Sequence, residues 1–297
     1  MEKYREIGGF SFDDILSSDP IEVSLPDADI IPLVYHGSAR QTVLDSAAVA
    51  LRLADLIDFK SARLRFESRA ALCQHFKIPL TASIILTGVN HDHRVEPWWT
   101  LGARRLDILG ALKRLDIELI TTPNFSLVAD NPRTDGLHSM KRIAISFAEI
   151  QNTGIACALH PNGSTWRDFD RWAAFVRGHG EIGVIAYEFE TGSAHNHRKK
   201  AHVEGLCRVA GLAGRPLDIV VRGAPDVIPE LRRHFRRVVY IETSGFLKTM
   251  MRKKAIRATN SRLTWQPVVT VKSEPICSLY EHNNREQADY LRATYYG

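Results

Sequence analysis

The chain has 297 residues, a formal charge of +5 at pH 7 and 44% hydrophobic residues, a profile with ample material for a globular core. No apolar run approaches the ~20 residues that a bilayer span needs, and the polar residues 1–7 are no signal peptide; this excludes membrane-spanning classes and predicts a soluble, cytoplasmic protein. Cys73, Cys157, Cys207 and Cys277 lie far apart and form no C-x-x-C pair, which argues for free thiols over a disulfide framework or a cysteine zinc site.

In chain order, residues 30–35 read as a strand, 42–57 as a helix and 63–76 as a second helix, so residues 1–80 supply either the first units of the fold or a cap over it. Residues 82–86 read as a strand, followed by a long polar loop over 88–99. From Ile117 to Ala255 one unit then repeats: a short apolar run, polar or glycine residues, a helix-start signal and an amphipathic stretch. The predicted strands are 118–122, 155–159, 183–187, 217–221 and 238–241. Each is continuously apolar, as in a parallel sheet covered on both faces. Between them, Met140, Ile143, Phe147 and Ile150 mark one helix face. Thr165 and Asp168 form a capping box ahead of another face made by Phe169, Trp172 and Val176.

Six or more such units favour an α/β fold of the closed (β/α)8 kind, TIM-like and possibly irregular, over a doubly wound open sheet. Such barrels use about 250 residues as one domain. The barrel body is placed at 81–258 and a C-terminal extension at 259–297, with a last strand over 263–272 and a terminal helix over 283–295.

A parallel barrel delivers its strand ends to one mouth. The residues just past the predicted strands are Asn90 to His93, Asn124 and Ser126, His160 and Asn162, Glu188 and Glu190, Arg222, Gly223 and Asp226, and Glu242 to Ser244. His91-Asp-His93 and His195-Asn-His197, with His160 and a carboxylate, would suit a metal-dependent hydrolase, but solvated loop histidines explain the same spacing. Gly223 and the following Pro225 would suit a phosphate at a helix start or an ordinary tight turn. Between Glu242 and Glu274 there is no acidic residue, while Lys248, Arg252, Lys253, Lys254 and Arg257 fall there along a predicted helix that follows Glu242 directly. A basic zone of this kind suits a phosphate backbone, or equally a solvated face.

Four stretches in residues 117–257 together resemble the catalytic barrel of the tRNA-guanine transglycosylases and, more closely, their DNA-directed and phage or mobile-element relatives. They are Thr122-Pro-Asn-Phe-Ser126, Ala158-Leu-His-Pro-Asn-Gly163 with Trp166-Arg-Asp168, Ile185-Ala-Tyr-Glu-Phe-Glu-Thr-Gly192, and Ile219-Val-Val-Arg-Gly-Ala-Pro-Asp226 with Val239-Tyr-Ile-Glu-Thr-Ser244. The resemblance implies a carboxylate that attacks the anomeric carbon of guanosine, expels guanine and holds the sugar until a 7-deazaguanine replaces it. Carried over, Glu242 is the catalytic nucleophile, and Asn124, Ser126, His160, Asn162, Glu190, Arg222 and Gly223 bind the base. Lys248, Arg252, Lys253, Lys254 and Arg257 contact nucleic acid, DNA ahead of tRNA.

The family's nucleophile is an aspartate, one methylene shorter than Glu242. Its second acid, in an aspartate-serine-glycine-glycine-phenylalanine motif, has no counterpart here, since Ile84-Ile-Leu-Thr-Gly88 carries no carboxylate. These departures keep a second expectation open, a non-catalytic nucleic-acid-binding component of a phage, mobile-element or defence system that works with other protein subunits. No cofactor and no metal is expected on either reading.

Overall fold

The computed structural model describes residues 2–23, 25–127, 131–190, 196–258, 262–269 and 275–297, with the backbone alone at 196 and 197. His195 and residues 270–272 of the predicted last strand lie outside the described residues. The architecture is mixed α/β, and its central strands are parallel, as the continuous apolar runs require.

The chain opens with α1 (Glu2–Glu6) and reaches its first strands, β1 (Ile30–Pro32) and β2 (Ala48–Arg52). A short helix, α2 (Leu53–Leu56), and a small antiparallel pair, β3 (Ile57–Asp58) with β4 (Arg63–Leu64), precede α3 (Arg69–Phe76). The alternation then runs β5 (Ser83–Thr87), α4 (Asp92–Thr100), α5 (Arg104–Lys113), β6 (Leu119–Thr121), α6 (Arg133–Asn152), β7 (Cys157–Ala158), α7 (Trp166–Gly178), β8 (Val184–Glu188), α8 (Asn196–Leu212) and β9 (Asp218–Arg222). It continues through α9 (Ile228–Leu231), β10 (Arg237–Glu242) and α10 (Ser244–Met250). An antiparallel ribbon, β11 (Lys253–Arg257) with β12 (Leu263–Pro267), and a terminal helix, α11 (Cys277–Leu291), complete it.

All six strands predicted between residues 82 and 241 are present, as β5 to β10. Three early readings are corrected. Residues 42–57 are not one helix: residues 48–52 form β2, because an apolar run of that length packs as well in a sheet as in a helix until its neighbours decide. Residues 63–76 are helical only from Arg69, where Ser68 accepts the amide of Ala71 at 3.2 Å. The predicted loop 88–99 contains α4, which carries Pro97 inside it and buries Val95 and Trp98.

Two four-stranded parallel sheets, ordered β2-β5-β6-β7 and β1-β10-β9-β8, form the centre. Single parallel bridges join their edges, Leu33 to Ala50 on one side and Leu159 to Ile185 on the other. The backbone bonds there are Val34 N to Ala50 O at 2.9 Å and Ala186 N to Leu159 O at 2.7 Å. Alternation along the strands divides the core into two clusters. One is small-sided and takes residues from every strand of both sheets, Ile31, Ala50, Ile85, Leu119, Ala158, Ala186, Val220 and Val239 among them. The other, with Val49, Ile84, Ile120, Ile185, Val221 and Tyr240, packs against the helices. There α6 inserts Met140, Ile143, Phe147 and Ile150, and α7 inserts Phe169, Trp172 and Val176, as their spacing predicts. The amino-terminal arm closes one side: Leu25 joins the small-sided cluster, and Arg237 donates to Leu25 O at 3.1 Å and Pro26 O at 2.8 Å. No helix among the described residues is long and apolar enough to cross a membrane.

Candidate functional site

The strand ends of β8, β9 and β10 bring together Glu188, Glu190, Arg222 and Thr243. Arg222, the last residue of β9, donates from Nη2 to Glu190 Oε2 at 2.6 Å. Its Nε and Nη1 are buried and have no hydrogen-bond partner among the described residues. Burial opposes the guanidinium charge, but Glu190, with help from Tyr35 and Glu188, outweighs it and raises the Arg222 pKa. Glu190 is held in place by its own amide, which donates to Glu188 Oε1 at 2.6 Å, and by Thr243 Oγ1 at 3.3 Å from Glu190 Oε1.

Gly223 makes this packing possible. Its φ is +76°, and a Cβ there would lie 2.7 Å from Glu190 Cγ and 2.9 Å from the Glu190 amide. Only glycine lets the β9 turn pass that close to the chain after β8.

A second cationic layer adjoins the first through Tyr35, whose hydroxyl is raised in pKa by burial and also feels Arg222 and Glu190. The guanidinium of Arg52, at the end of β2, stacks 4.6 Å from the Tyr35 ring. Asp55 braces it, accepting from Arg52 at 2.5 Å and from Arg94 at 3.0 Å. Sequence reasoning does not find Arg52 because residues 48–52 read as helix, although the apolar run Ala48-Val-Ala-Leu51 ahead of it was an available signal; Tyr35 ends the predicted strand 30–35 and carries no signal of its own.

On the other sheet the two predicted amides meet. Asn162 Nδ2 donates to Asn124 Oδ1 at 2.7 Å and to Phe125 O at 3.3 Å, and both side chains are half-buried. Ser126 turns aside and donates to Asp92 Oδ1 at 2.5 Å. His160 is 1% exposed, with its ring stacked 4.8 Å from Tyr187, whose hydroxyl meets His202 on α8. Neither ring nitrogen of His160 has a partner among the described residues, and burial pushes its pKa down to about 3, so the ring is neutral.

Glu242, at the end of β10, is held by the start of the following helix. Val239 and Ile241 occupy the small-sided cluster, so alternation turns Glu242 toward the helices. Its carboxylate accepts the amides of Ser244 at 2.5 Å and Gly245 at 2.9 Å, capping the first turn of α10. It is 3% exposed, and burial pushes its pKa up to about 7 against those two bonds.

The basic zone is not one helix. Lys248 lies on α10, Arg252 takes a left-handed turn at φ 52°, and Lys253, Lys254 and Arg257 lie on β11. The reason is Ala255, whose amide donates to the buried Asn283 of α11 at 2.8 Å and fixes an extended strand there. Lys254 is exposed opposite Gln266, whereas Arg257 turns toward Glu286 at 3.5 Å.

His91 precedes α4 and His93 lies in its first turn, their rings stacked at 5.9 Å. Among the described residues the one grouping of three metal-ligating side chains includes neither; it is Cys207, Glu230 and His234.

A scan against protein-family models gives no match, and a search of curated proteins gives none either.

Proposed function

We propose that the two sheets form one closed (β/α)8 barrel and that its strand-end mouth recognises a nucleobase, in a guanine-transglycosylase-like protein acting on nucleic acid, DNA ahead of tRNA. Support for closure comes from the parallel bridges at both seams and from the inner cluster shared by all eight strands. The observation that carries the base-binding reading is Arg222, a largely buried cation with two donor nitrogens, Nε and Nη1, left over after Glu190 is satisfied. A guanidinium with free N–H groups suits the O6 and N7 acceptors of guanine, and the Asn124–Asn162 amide pair offers further donors and acceptors to a base edge.

Glu190 is a better placed carboxylate than Glu242, being partly exposed and paired with Arg222 at 2.6 Å. In the exchange it attacks the anomeric carbon as the bond to the purine N9 breaks and the purine leaves, taking a proton from solvent. A 7-deazaguanine then attacks the same carbon through N9, loses its own N9 proton to solvent and frees the carboxylate. Labelled guanine offered with duplex DNA, single-stranded DNA and tRNA tests this. Incorporation that is lost in Glu190→Gln and kept in Glu242→Gln supports it; absence of both incorporation and guanine binding overturns it.

The β11–β12 ribbon favours a second reading, a non-catalytic nucleic-acid-binding component, because a two-stranded ribbon fits the major groove. DNA binding without exchange would be its signature.

A further inference from the structure

Cys207 lies on α8, and Glu230 and His234 lie one helical turn apart at and just beyond α9, so three side chains from two segments converge in the helix layer. Their ligand atoms, Sγ, a carboxylate oxygen and an imidazole nitrogen, all lie within 4.8 Å of one another. From this grouping we infer a zinc site that ties α8 to the segment after β9, with water completing a tetrahedron.

The donor set selects the metal. A thiolate with an imidazole suits zinc, whereas calcium and magnesium take oxygen ligands almost exclusively. Zinc bonds of about 2.0–2.3 Å place tetrahedral ligand atoms about 3.5 Å apart, so the grouping has to tighten by about 1 Å on binding. His234 Nε2 already stands 3.3 Å from Glu230 Oε1.

The carboxylate already has an outer partner. Arg233 binds Glu230 through Oε2 at 2.6 Å, leaving Oε1 toward His234, the arrangement in which an outer partner orients a ligating carboxylate. On binding, zinc displaces the thiol proton to solvent, and the ligands are then one thiolate, one neutral imidazole and one carboxylate.

The full chain, stripped with chelator and titrated with zinc chloride and then cobalt chloride, tests the site. The expected results are one equivalent of metal, a thiolate-to-cobalt charge-transfer band, and a thermal midpoint about 5 °C higher at a zinc concentration of 100 times Kd. Cys207→Ser should abolish the band. His234→Gln, at a half-exposed position where folding is not at risk, should weaken zinc binding by more than about 10- to 100-fold, the usual cost of losing a mere supporting contact. Cys277→Ser and the pair His91→Gln, His93→Gln should leave binding unchanged. Sub-stoichiometric or only millimolar binding, or loss of binding in the His91, His93 pair instead of His234→Gln, overturns the site.

Discussion

Two buried groups set opposite pH dependences at the level of single residues. His160 titrates at about 3 against an ordinary 6.5, so the unfolded chain takes up a proton there that the folded chain refuses. Its contribution is full above 6.5 and is lost as pH falls toward 3, by up to ~5 kcal/mol. Glu242 is the reverse: with its carboxyl pushed from 4.5 up to about 7, the folded chain keeps a proton that the unfolded one releases. Stability is therefore lost as pH rises from 4.5 to 7, by up to ~3 kcal/mol. Urea unfolding at pH 5 and pH 8 should show Glu242→Gln gaining on the wild type as pH rises, while His160→Phe flattens the acid limb. Parallel curves for variant and wild type would show that these groups are not buried as described. Gly223→Ala meets the chain after β8 and an unfavourable φ together. It should cost ~1–3 kcal/mol in urea unfolding and, if the site binds guanine as proposed, weaken that binding through Glu190.

At the level of elements, α7 is secured at its start by the capping box of Thr165 and Asp168. Asp168 also accepts the amides of Ser164 and Thr165 at 3.0 Å each and pairs with Arg133 of α6, although it is fully buried. Thr165→Ala should cost ~1 kcal/mol, the usual loss for a cap. Asp168→Ala should cost ~3 kcal/mol or more, because it strips partners from two elements at once; similar midpoints for the two variants would mean that the pair with Arg133 contributes nothing. The β11–β12 ribbon makes a different prediction. If it lies on DNA, Lys253→Ala with Lys254→Ala should flatten the salt dependence by ~0.9 log units per lost phosphate contact. An unchanged slope assigns the two lysines to solvent.

For the whole molecule, the seams between the two sheets carry the test of closure. Each seam rests on a single bridge, whereas β9 and β10 pair over five residues. Amide exchange should be slowest in β9 and β10 and distinctly faster at Val34, Leu159 and Ala186, yet those seam amides should still be protected relative to exposed loops. Seam amides exchanging at the unprotected rate would leave two separate sheets. The amino-terminal arm belongs to this scale as well, since Leu25 covers the inner cluster from one side while Lys141, 1% exposed on α6, pairs with Asp14. Leu25→Ala removes a buried side chain from that cover and should cost ~2–5 kcal/mol.

The sequence by itself determined the repeating strands and helices from β5 to β10, because a parallel strand buried on both faces must be continuously apolar and an amphipathic helix must repeat its apolar face. It also marked the strand-end residues, since the polar residues that follow such runs stand out. Tertiary structure decided what local pattern leaves degenerate. The run at β2 became a strand only because β5 pairs with it, and the basic stretch became a ribbon because Asn283, almost thirty residues further on, takes the amide of Ala255. The direction of a side chain at a strand end is a matter of register, and a shift of one residue reverses it. That is why Glu190 faces Arg222 while Glu242, equally a carboxylate at a strand end, turns outward to cap α10. The meeting of Cys207 with Glu230 and His234 likewise depends on how α8 packs against α9, a contact between side chains more than twenty residues apart that no spacing along the chain could announce.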